Sequence, residues 1–177
     1  MTSTGAISFF QSLDYPKIAL DKRPIIITDN LKTPENIGHI LRLAGNIGCR
    51  QVFAVNDGEL PRKSKINSVA QVSGYVVDWQ FCSTHELLKL IPQDYTLVAL
   101  ETMHGSQNIF ESKLPQKMAL MVGNEIVGIS KPLLDAANMC VHIPVPGTVK
   151  SLNVAQATGV CLFEWVRRQL INAQDLE

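Results

Sequence analysis

The sequence has no excess of charge of either sign, because 16 Lys and Arg residues balance 16 Asp and Glu residues in a chain of 177. A protein that coats nucleic acid through bulk charge is clearly basic, so this class is excluded. Any RNA or DNA contact must therefore come from a local patch or a shaped site. Hydrophobic residues make up 46% of the chain and charged residues 18%, which excludes a disordered protein. The length suits one domain with a substantial core.

Cysteine pairs, targeting signals and long apolar runs are also missing. No CxxC pair occurs, and the neighbours of the cysteines are apolar, so we predict buried free thiols rather than disulfides or a zinc site. The N-terminus lacks the pattern of a secretory signal, and no apolar run approaches the ~18 residues that span a bilayer. We expect a cytoplasmic protein with no membrane contact. The four cysteines are Cys49, Cys82, Cys140 and Cys161.

Strand and helix signals alternate after an N-terminal arm, residues 1–23, in which Ile7, Phe10 and Leu13 are able to dock on another surface. Apolar or alternating patterns predict strands at 25–28, 52–55, 75–81, 95–100, 118–122 and 140–145. Helix signals lie between them. Thr33-Pro34 opens a helix that Gly48 ends, Ser83 and Glu86 form a capping box, and further helices are expected near 66–72, 132–137 and 152–170.

This alternation implies parallel βαβ units, and strands that are almost wholly apolar imply a sheet covered on both faces. We therefore predict an α/β fold with a parallel sheet flanked by helices. Ligands of such sheets sit beyond the carboxyl ends of the strands. The loops after residues 29, 100, 122 and 145 are the places where a site is expected.

The first of these loops, residues 30–36, leads into an amphipathic helix. His39, Arg42 and Asn46 share its polar face, and Asn36 lies at the edge of that face. The face is either a solvated surface or a site for a phosphate or a sugar. The apolar face consists of Ile37, Ile40, Leu41, Ala44 and Ile47.

The loops after Val122 and Val145 contain glycine and polar residues. Residues 123–130 place two glycines around Glu125, which lets a ligand approach the backbone, although a simple turn before a helix also explains the pattern. Residues 146–153 deliver Ser151 to the start of the last helix, where it can act as an N-cap. Neither GxxxxGK[ST] nor GxGxxG occurs, so the common phosphate and dinucleotide motifs are absent.

Three segments stand out when they are taken together: N-x-x-x-x-x-R at 36–42, V-G-N-E-x-x-G-I-S at 122–130, and I-P-V-P-G-x-V-x-S-L-N-V-A at 143–155. In this order they resemble the motifs of the SpoU (TrmH-like) RNA ribose 2′-O-methyltransferases of the SPOUT superfamily. The resemblance covers residues 24–170 and implies one catalytic domain over 24–177. It also implies a deep trefoil knot near 95–165, S-adenosylmethionine as the cofactor, and a homodimer packed around the active site.

The resemblance assigns catalysis to Arg42, with Asn36, Glu125, Ser151 and Asn153 around it. Arg42 is often given the role of general base in this family, but a guanidinium normally stays protonated. We expect it instead to bind the phosphate beside the target ribose and to stabilise alkoxide charge. No metal is expected, because a sulfonium methyl group needs no Lewis acid. The implied cofactor contacts, many through the backbone, are Leu100, Glu101, Thr102, Gly123, Asn124, Ile143, Ser151 and Leu152.

A ribose 2′-hydroxyl acceptor predicts RNA rather than DNA as the substrate. Larger members of the family add an RNA-binding domain or long basic extensions. This sequence shows neither, which favours a compact tRNA loop and leaves ribosomal RNA open. A non-catalytic, cofactor-sensing RNA-binding module and a base-nitrogen methyltransferase are the alternatives, and the S-L-N-V motif argues against the second. We expect His104 to be a solvated loop residue. Candidate phosphate contacts are Arg23, Arg62, Lys63, Lys65 and Lys150.

Overall fold

The computed structural model describes residues 5–13, 18–70 and 77–174 of the chain. The strands in this part are β1 (Ile25–Asp29), β2 (Gln51–Val55), β3 (Trp79–Cys82), β4 (Thr96–Leu100), β5 (Gln107–Asn108), β6 (Met118–Val122) and β7 (Met139–His142). The α-helices are α1 (Ala6–Gln11), α2 (Pro34–Ile47), α3 (Lys63–Ala70), α4 (Thr84–Leu90), α5 (Lys131–Ala136) and α6 (Val154–Gln174). One turn of 3₁₀-helix at Leu20–Lys22 precedes β1.

The seven strands form one sheet in the order β3-β2-β1-β6-β4-β7-β5, and every paired neighbour runs parallel. This confirms the predicted parallel α/β sheet. The central strand β6 lies between β1 and β4, so the carboxyl ends of these three strands meet at one edge of the sheet. Loops from these three strands can therefore build one functional site at that edge.

Helices cover both faces of the sheet, as the apolar strands predicted. On one face Ile26 packs in a buried cluster with residues of α2, α3 and α6. On the other face Ile25 and Ile27 pack with Leu87 of α4 and Leu133 of α5. Successive residues of β1 point to opposite faces of the sheet, and both faces are buried. The sequence of this strand is therefore an almost continuous apolar run.

Most local signals correspond to real elements. Helix α2 begins at Pro34 and ends at Ile47, and Gly48, whose φ is 71°, is its C-cap. The capping box of Ser83 and Glu86 is formed at the start of α4. Thr33 occupies the N-cap position of α2, but its side chain does not cap the helix.

The predicted ends of several elements were wrong. Strand β7 stops at His142 instead of residue 145, because Pro144 and Pro146 supply no N–H donors to a ladder. Strand β3 begins only at Trp79, and the expected residue Tyr75 lies outside the described residues. The short strand β5 had no signal in the sequence.

The starts of two helices also differ from the predicted starts. Helix α3 begins at Lys63, three residues before the expected start, while residues 71–72 lie outside the described part. Helix α6 begins at Val154 rather than near residue 152. Ser151 is therefore not its N-cap: the Asn153 side-chain oxygen accepts the backbone N–H of Ala155 at 2.9 Å.

All four cysteines are free thiols, as predicted, but only three of them are buried. Burial raises the pKa of Cys49 and of Cys161 to about 12 and that of Cys82 to about 11, so these thiols stay protonated. Cys140 is half-buried. In the N-terminal arm Phe10 and Leu13 are exposed in the described structure, which shows no docking of these side chains. The side chain of Ile7 lies outside the described residues.

The trefoil knot expected near 95–165 concerns the threading of the chain and stays a prediction, as does the division between an arm and a catalytic domain. Among the helices of the described residues, none combines the length and the apolar character needed to cross a bilayer.

Candidate functional site

A cavity of about 500 Å³ opens at the carboxyl edge of the sheet, between the loops that follow β4, β6 and β7. This is the edge at which the parallel topology predicts a ligand site. The cavity brings together all eight residues that the family resemblance implied as cofactor contacts. They are Leu100, Glu101, Thr102, Gly123, Asn124, Ile143, Ser151 and Leu152.

The lining of the cavity is mixed, which suits a small organic molecule with a flat apolar part and polar ends. Leu100, Ile143 and Leu152 supply apolar surface, and Asn124 and Ser151 supply polar groups. Within the described part of the chain, no three His, Cys, Asp or Glu side chains come together in a way that could hold a metal ion.

The loop after β6 folds into a closed turn that forms one wall of the cavity. Asn124 and Gly128 exchange two backbone hydrogen bonds of 2.9 and 3.0 Å. The Asn124 side-chain oxygen accepts the N–H groups of Ile126 and Val127 at 2.9 and 3.2 Å. A Cβ on Gly123 would overlap the carbonyl carbon of Gly128, so only glycine allows the turn to close at this point.

A line of hydrogen bonds connects one residue from each of the three motifs. The Asn36 amide nitrogen donates to Glu125 Oε1 at 2.6 Å, and the Asn153 amide nitrogen donates to Asn36 Oδ1 at 3.0 Å. The backbone N–H of Lys32 donates to the second Glu125 oxygen at 3.3 Å. We call Glu125, Asn36 and Asn153 the motif line. Residues that are distant in sequence thus meet beside the cavity.

Glu125 is held as a carboxylate. Burial acts to raise its pKa, but hydrogen bonds outweigh that effect and hold the pKa of Glu125 below its usual value. The donors at hydrogen-bond distance are the Asn36 amide and the backbone N–H group of Lys32. A carboxylate with a lowered pKa is a weak proton acceptor, so Glu125 is suited to orient Asn36 rather than to remove a proton.

Two polar residues of the third motif, Asn153 and Ser151, differ in the hydrogen bonds that they make within the chain. Asn153 uses one amide N–H for Asn36 and its oxygen for the start of α6, so one amide N–H remains for a ligand. Ser151 is exposed at the cavity wall, and within the described residues its hydroxyl makes no hydrogen bond. The Ser151 hydroxyl is therefore fully available to a bound molecule.

Arg42 lies apart from the motif line. It is six residues beyond Asn36 on α2, which corresponds to about 9 Å along the helix axis and about 120° around it. Its side chain is exposed, and among the described residues no hydrogen bond or ion pair holds it. The structure places Arg42 on the solvent face of α2 together with His39 and Asn46.

The candidate phosphate contacts separate into two groups. Lys150 lines the cavity, and its ammonium group donates to the Val145 carbonyl at 3.0 Å. Arg62, Lys63 and Lys65 follow the carboxyl end of β2 and so lie at the same edge of the sheet, where Lys65 forms an ion pair of 2.8 Å with Glu35. Arg23 precedes β1 at the opposite edge, which the structure does not bring to the cavity.

Two residues at this edge were not identified from the sequence. His142 lines the cavity, and its Nδ1 lies 3.0 Å from the Ser106 hydroxyl. Asp29 is 1% exposed at the end of β1 and accepts the backbone N–H of Ser130 at 2.6 Å. A polar residue at the end of an apolar strand is a signal that could have found both. His104 is exposed, as expected for a solvated loop residue.

Residues 23–163 match the sequence model of the SpoU rRNA Methylase family. The 23S rRNA (guanosine-2′-O-)-methyltransferase RlmB of Salmonella typhi is 29% identical over 167 residues, which cover 90% of this chain and 67% of that protein. The TrmH/SpoU tRNA modifying enzyme of A. aeolicus has a TM-score of 0.69 and 25% identity, covering 87% of this chain and 80% of that one.

The SpoU methyltransferase AviRb of Streptomyces viridochromogenes, in complex with AdoMet, has a TM-score of 0.75 and 23% identity over 86% of this chain and 60% of its own. This likeness supports the fold. The three motifs, the parallel sheet and the match over residues 23–163 agree with one another. The chain belongs to the SpoU rRNA Methylase family.

Proposed function

We propose that this chain transfers a methyl group from S-adenosylmethionine to a ribose 2′-hydroxyl of RNA. The observation that carries the proposal is the meeting of the three family motifs at one cavity, where the motif line runs beside residues suited to hold a cofactor. RlmB of Salmonella typhi, which is named for the same transfer to guanosine, is similar over 90% of this chain.

The cavity fits the proposed cofactor in size and in lining. Its volume of about 500 Å³ lies within the usual range for small-molecule sites. Leu100, Ile143 and Leu152 offer apolar surface to a flat ring, while Ser151 offers a hydroxyl with no other partner among the described residues. When bound, the cofactor supplies a methyl group activated by a positively charged sulfur.

The residues of the chain divide the remaining work. A ribose hydroxyl is a weak nucleophile, so it must be aligned and its developing negative charge must be stabilised. The motif line supplies rigid walls, because Asn36 and Asn153 have both amide atoms engaged. Arg42 has a guanidinium free of partners in the described chain, and we assign it the phosphate next to the target ribose and the alkoxide charge.

The Arg42→Ala substitution tests this assignment. We expect cofactor affinity to stay within about threefold of the unmodified chain and methyl transfer to fall by about 10²–10³, the loss typical of removing one charge-stabilising group. Calorimetry with the cofactor and a methyl-transfer assay on substrate RNA measure the two quantities. Arg50→Ala is the matched control, because Arg50 is an exposed arginine before β2 at the opposite edge of the sheet. Near-normal transfer by Arg42→Ala would contradict the role.

The substrate is identified by mapping methylated nucleotides. Mass spectrometry of tRNA and rRNA from cells that lack the gene should reveal one missing ribose methyl group, which names the nucleotide. A missing base methyl group, with all ribose methyl groups intact, would exclude the proposed reaction. No change in any RNA, together with cofactor binding by the purified chain, would favour the non-catalytic RNA-binding module.

We propose tRNA as the substrate, supported by the similarity to the A. aeolicus tRNA modifying enzyme, of which this chain covers 80%. Ribosomal RNA is the second candidate, because RlmB of Salmonella typhi is named for 23S rRNA and is 29% identical. Recognition in either case would use Arg62 and Lys63, which are exposed at the cavity edge of the sheet.

We also propose a homodimer packed around the site. Two observations support it. Helix α6 exposes Phe163 and Ile171, with 56% and 41% of their surface open to solvent. Arg42 is also exposed, and the described residues of its own chain offer it no partner. A second copy can cover the apolar side chains and bring an arginine to each cavity.

A further inference from the structure

An acidic residue lies at the carboxyl end of each of the two strands that flank β6. Asp29 is the last residue of β1, and Glu101 directly follows β4. The loop that leaves β6, residues 123–130, therefore runs between two carboxylates that belong to the neighbouring strands.

Asp29 holds the end of this loop from the β1 side. One carboxylate oxygen accepts the backbone N–H of Ser130 at 2.6 Å, and the other accepts the Asn30 side-chain amide at 2.7 Å. The residue is 1% exposed, so water does not compete for these hydrogen bonds. Its two oxygens thus accept hydrogen bonds from the loop and from the residue that follows its own strand.

Glu101 holds the preceding residue from the β4 side. Its Oε2 accepts the backbone N–H of Ile129 at 3.0 Å, and its Oε1 accepts that of Thr102 at 2.9 Å. A Cβ on Gly128 would meet Glu101 Oε2, and Gly128 has a φ of 72°, so glycine is needed there on both counts. The second glycine of the motif thus makes room for this carboxylate.

We propose that Asp29 and Glu101 are positioning residues, which fix the loop 123–130 between the cofactor cavity and the motif line. The adjacent N–H groups of residues 129 and 130 bind carboxylates on opposite sides of the loop. The loop carries Glu125, which holds Asn36, and Asn124, which lines the cavity. The inference rests on the proposed function, because it assigns the two carboxylates to two halves of one reaction.

The two residues are not equivalent. Glu101 lines the cavity, whereas Asp29 does not. Loss of Glu101 should therefore move the cavity wall and affect cofactor binding. Loss of Asp29 should release the side of the loop that faces α2, and with it the alignment of Glu125 and Asn36, which face the RNA in the proposed function.

The test compares Glu101→Gln with Asp29→Asn. Each change keeps the shape of the side chain but turns one acceptor oxygen into an NH₂ group that faces an N–H donor. For Glu101→Gln we expect the affinity for S-adenosylhomocysteine to fall about tenfold, with kcat at saturating cofactor within about threefold. For Asp29→Asn we expect that affinity to stay within about threefold and kcat to fall about tenfold or more. Calorimetry without RNA gives the first quantity, and steady-state methyl transfer gives the second.

Asp94→Asn is the matched control for loss of a negative charge. Asp94 pairs with Lys117 at 2.7 Å on the surface, beside the start of β4 and thus at the far edge of the sheet. It should leave both the affinity and kcat unchanged. Thermal unfolding of all variants separates a local displacement of the loop from a general loss of structure.

A backbone substitution tests Asp29 without changing its charge. Ser130 has a φ of −64°, which proline adopts, and its N–H donates to Asp29. Ser130→Pro removes this N–H group and should reproduce the loss of kcat seen for Asp29→Asn. Ser130→Ala keeps the N–H group and should behave as the unmodified chain.

Three results would overturn the inference. The first is unchanged affinity in Glu101→Gln, and the second is unchanged kcat in both Asp29→Asn and Ser130→Pro. The third is a loss of affinity and kcat in equal proportion, in step with a lower Tm, which would make the carboxylates merely structural. If the unmodified chain itself bound no S-adenosylhomocysteine, the proposed function would fail instead, and the two failures are therefore distinguishable.

Discussion

Asn153 shows how completely a single side chain can be engaged at this site. Its amide nitrogen donates to Asn36, and its oxygen accepts the first free N–H group of α6. The residue type suits these two contacts, because a short amide has an oxygen that can cap a helix and a separate NH₂ group that can donate. The motif thus combines a structural and a functional requirement in one residue.

Two substitutions at this position should separate the two requirements. Asn153→Asp keeps an oxygen for the helix N-terminus but cannot donate to Asn36. A flip of the Asn36 amide does not restore the contacts, because it would turn the Asn36 oxygen toward the Glu125 carboxylate, which also only accepts. Asn153→Ala removes both contacts. We expect both variants to lose methyl transfer by about tenfold or more, and only the alanine variant to lose about 1 kcal/mol of unfolding free energy. Denaturant unfolding and transfer assays measure these quantities, and an active aspartate variant would contradict the role of the motif line.

The residues of the site were identified to different degrees from the sequence. Five of the eight cavity residues lie in the family motifs, which are short and local, and Leu100, Glu101 and Thr102 followed from the wider family resemblance. Asp29 and His142 were missed, because nothing near them in the chain shows that their partners are Ser130 and Ser106. The sequence also grouped Arg42 with Asn36, although only the fold shows that Asn36 is buried and Arg42 exposed.

At the level of elements, α6 is anchored by a charged cluster outside the cavity. Glu164 is buried and binds Arg167 at 2.7 Å and Arg168 at 2.6 Å. Arg168 also donates to the carbonyls of Ile109 and Phe110 in the loop after β5. The cluster therefore connects the last helix to the loop that follows the edge strand β5.

The stability contributed by this cluster should depend on pH. The hydrogen bond from Arg167 is the main cause that lowers the pKa of Glu164, followed by that from Arg168, against the effect of burial. A carboxyl group whose pKa is lower in the folded chain than in the unfolded chain stabilises the folded state. The full effect is present at pH values above the pKa of the unfolded chain, near 4.5, and it is lost as the pH falls through the pKa of the folded chain. Glu164→Gln should cost about 2 kcal/mol at pH 7, and the difference should shrink below pH 4.5.

Denaturant unfolding from about pH 8 down to about pH 3 measures this difference, because the range begins well above 4.5 and continues below it. Asp135→Asn serves as the control, because Asp135 forms an exposed ion pair with Lys131 and should contribute little at any pH. A pH-independent difference for Glu164→Gln would mean that the cluster acts through packing rather than charge.

The positions of the elements were predictable, but several of their ends were not. Strand β6 matched its apolar run, Met118–Val122, because burial on both faces leaves a purely local signal. The start of α6 was not predictable, because Ser151 and Asn153 are both good caps by type. Tertiary contacts selected Asn153, since Asn36 holds its amide in the capping orientation.

At the scale of the whole molecule, the proposed dimer makes a specific prediction about Arg42. If each cavity uses the Arg42 of the partner chain, a mixture of inactive Arg42→Ala and Asn153→Asp proteins should recover activity. Half of the dimers in an equal mixture are then mixed, and each of these has one site with neither substitution. We expect recovery of about a quarter of the normal activity, as for a site shared across a two-fold axis.

The measurement needs subunits that exchange, which native mass spectrometry of the mixture checks directly. Mixing each variant with itself under the same conditions is the control and should give no recovery. Exchanged dimers without activity would show that Arg42 acts in the cavity of its own chain, and a monomer in solution would exclude the shared site.

The sequence by itself determined the fold class, the family and the edge of the sheet where the site lies. These follow from local features, namely apolar strands, helix signals between them and three short motifs. The tertiary structure decided which polar groups meet, because hydrogen bonds such as Asp29 to Ser130 join residues that lie 101 positions apart. It also decided that Asn153 rather than Ser151 caps α6 and that Arg42 faces solvent, since both outcomes depend on how α2 packs beside α6 and the loop after β6.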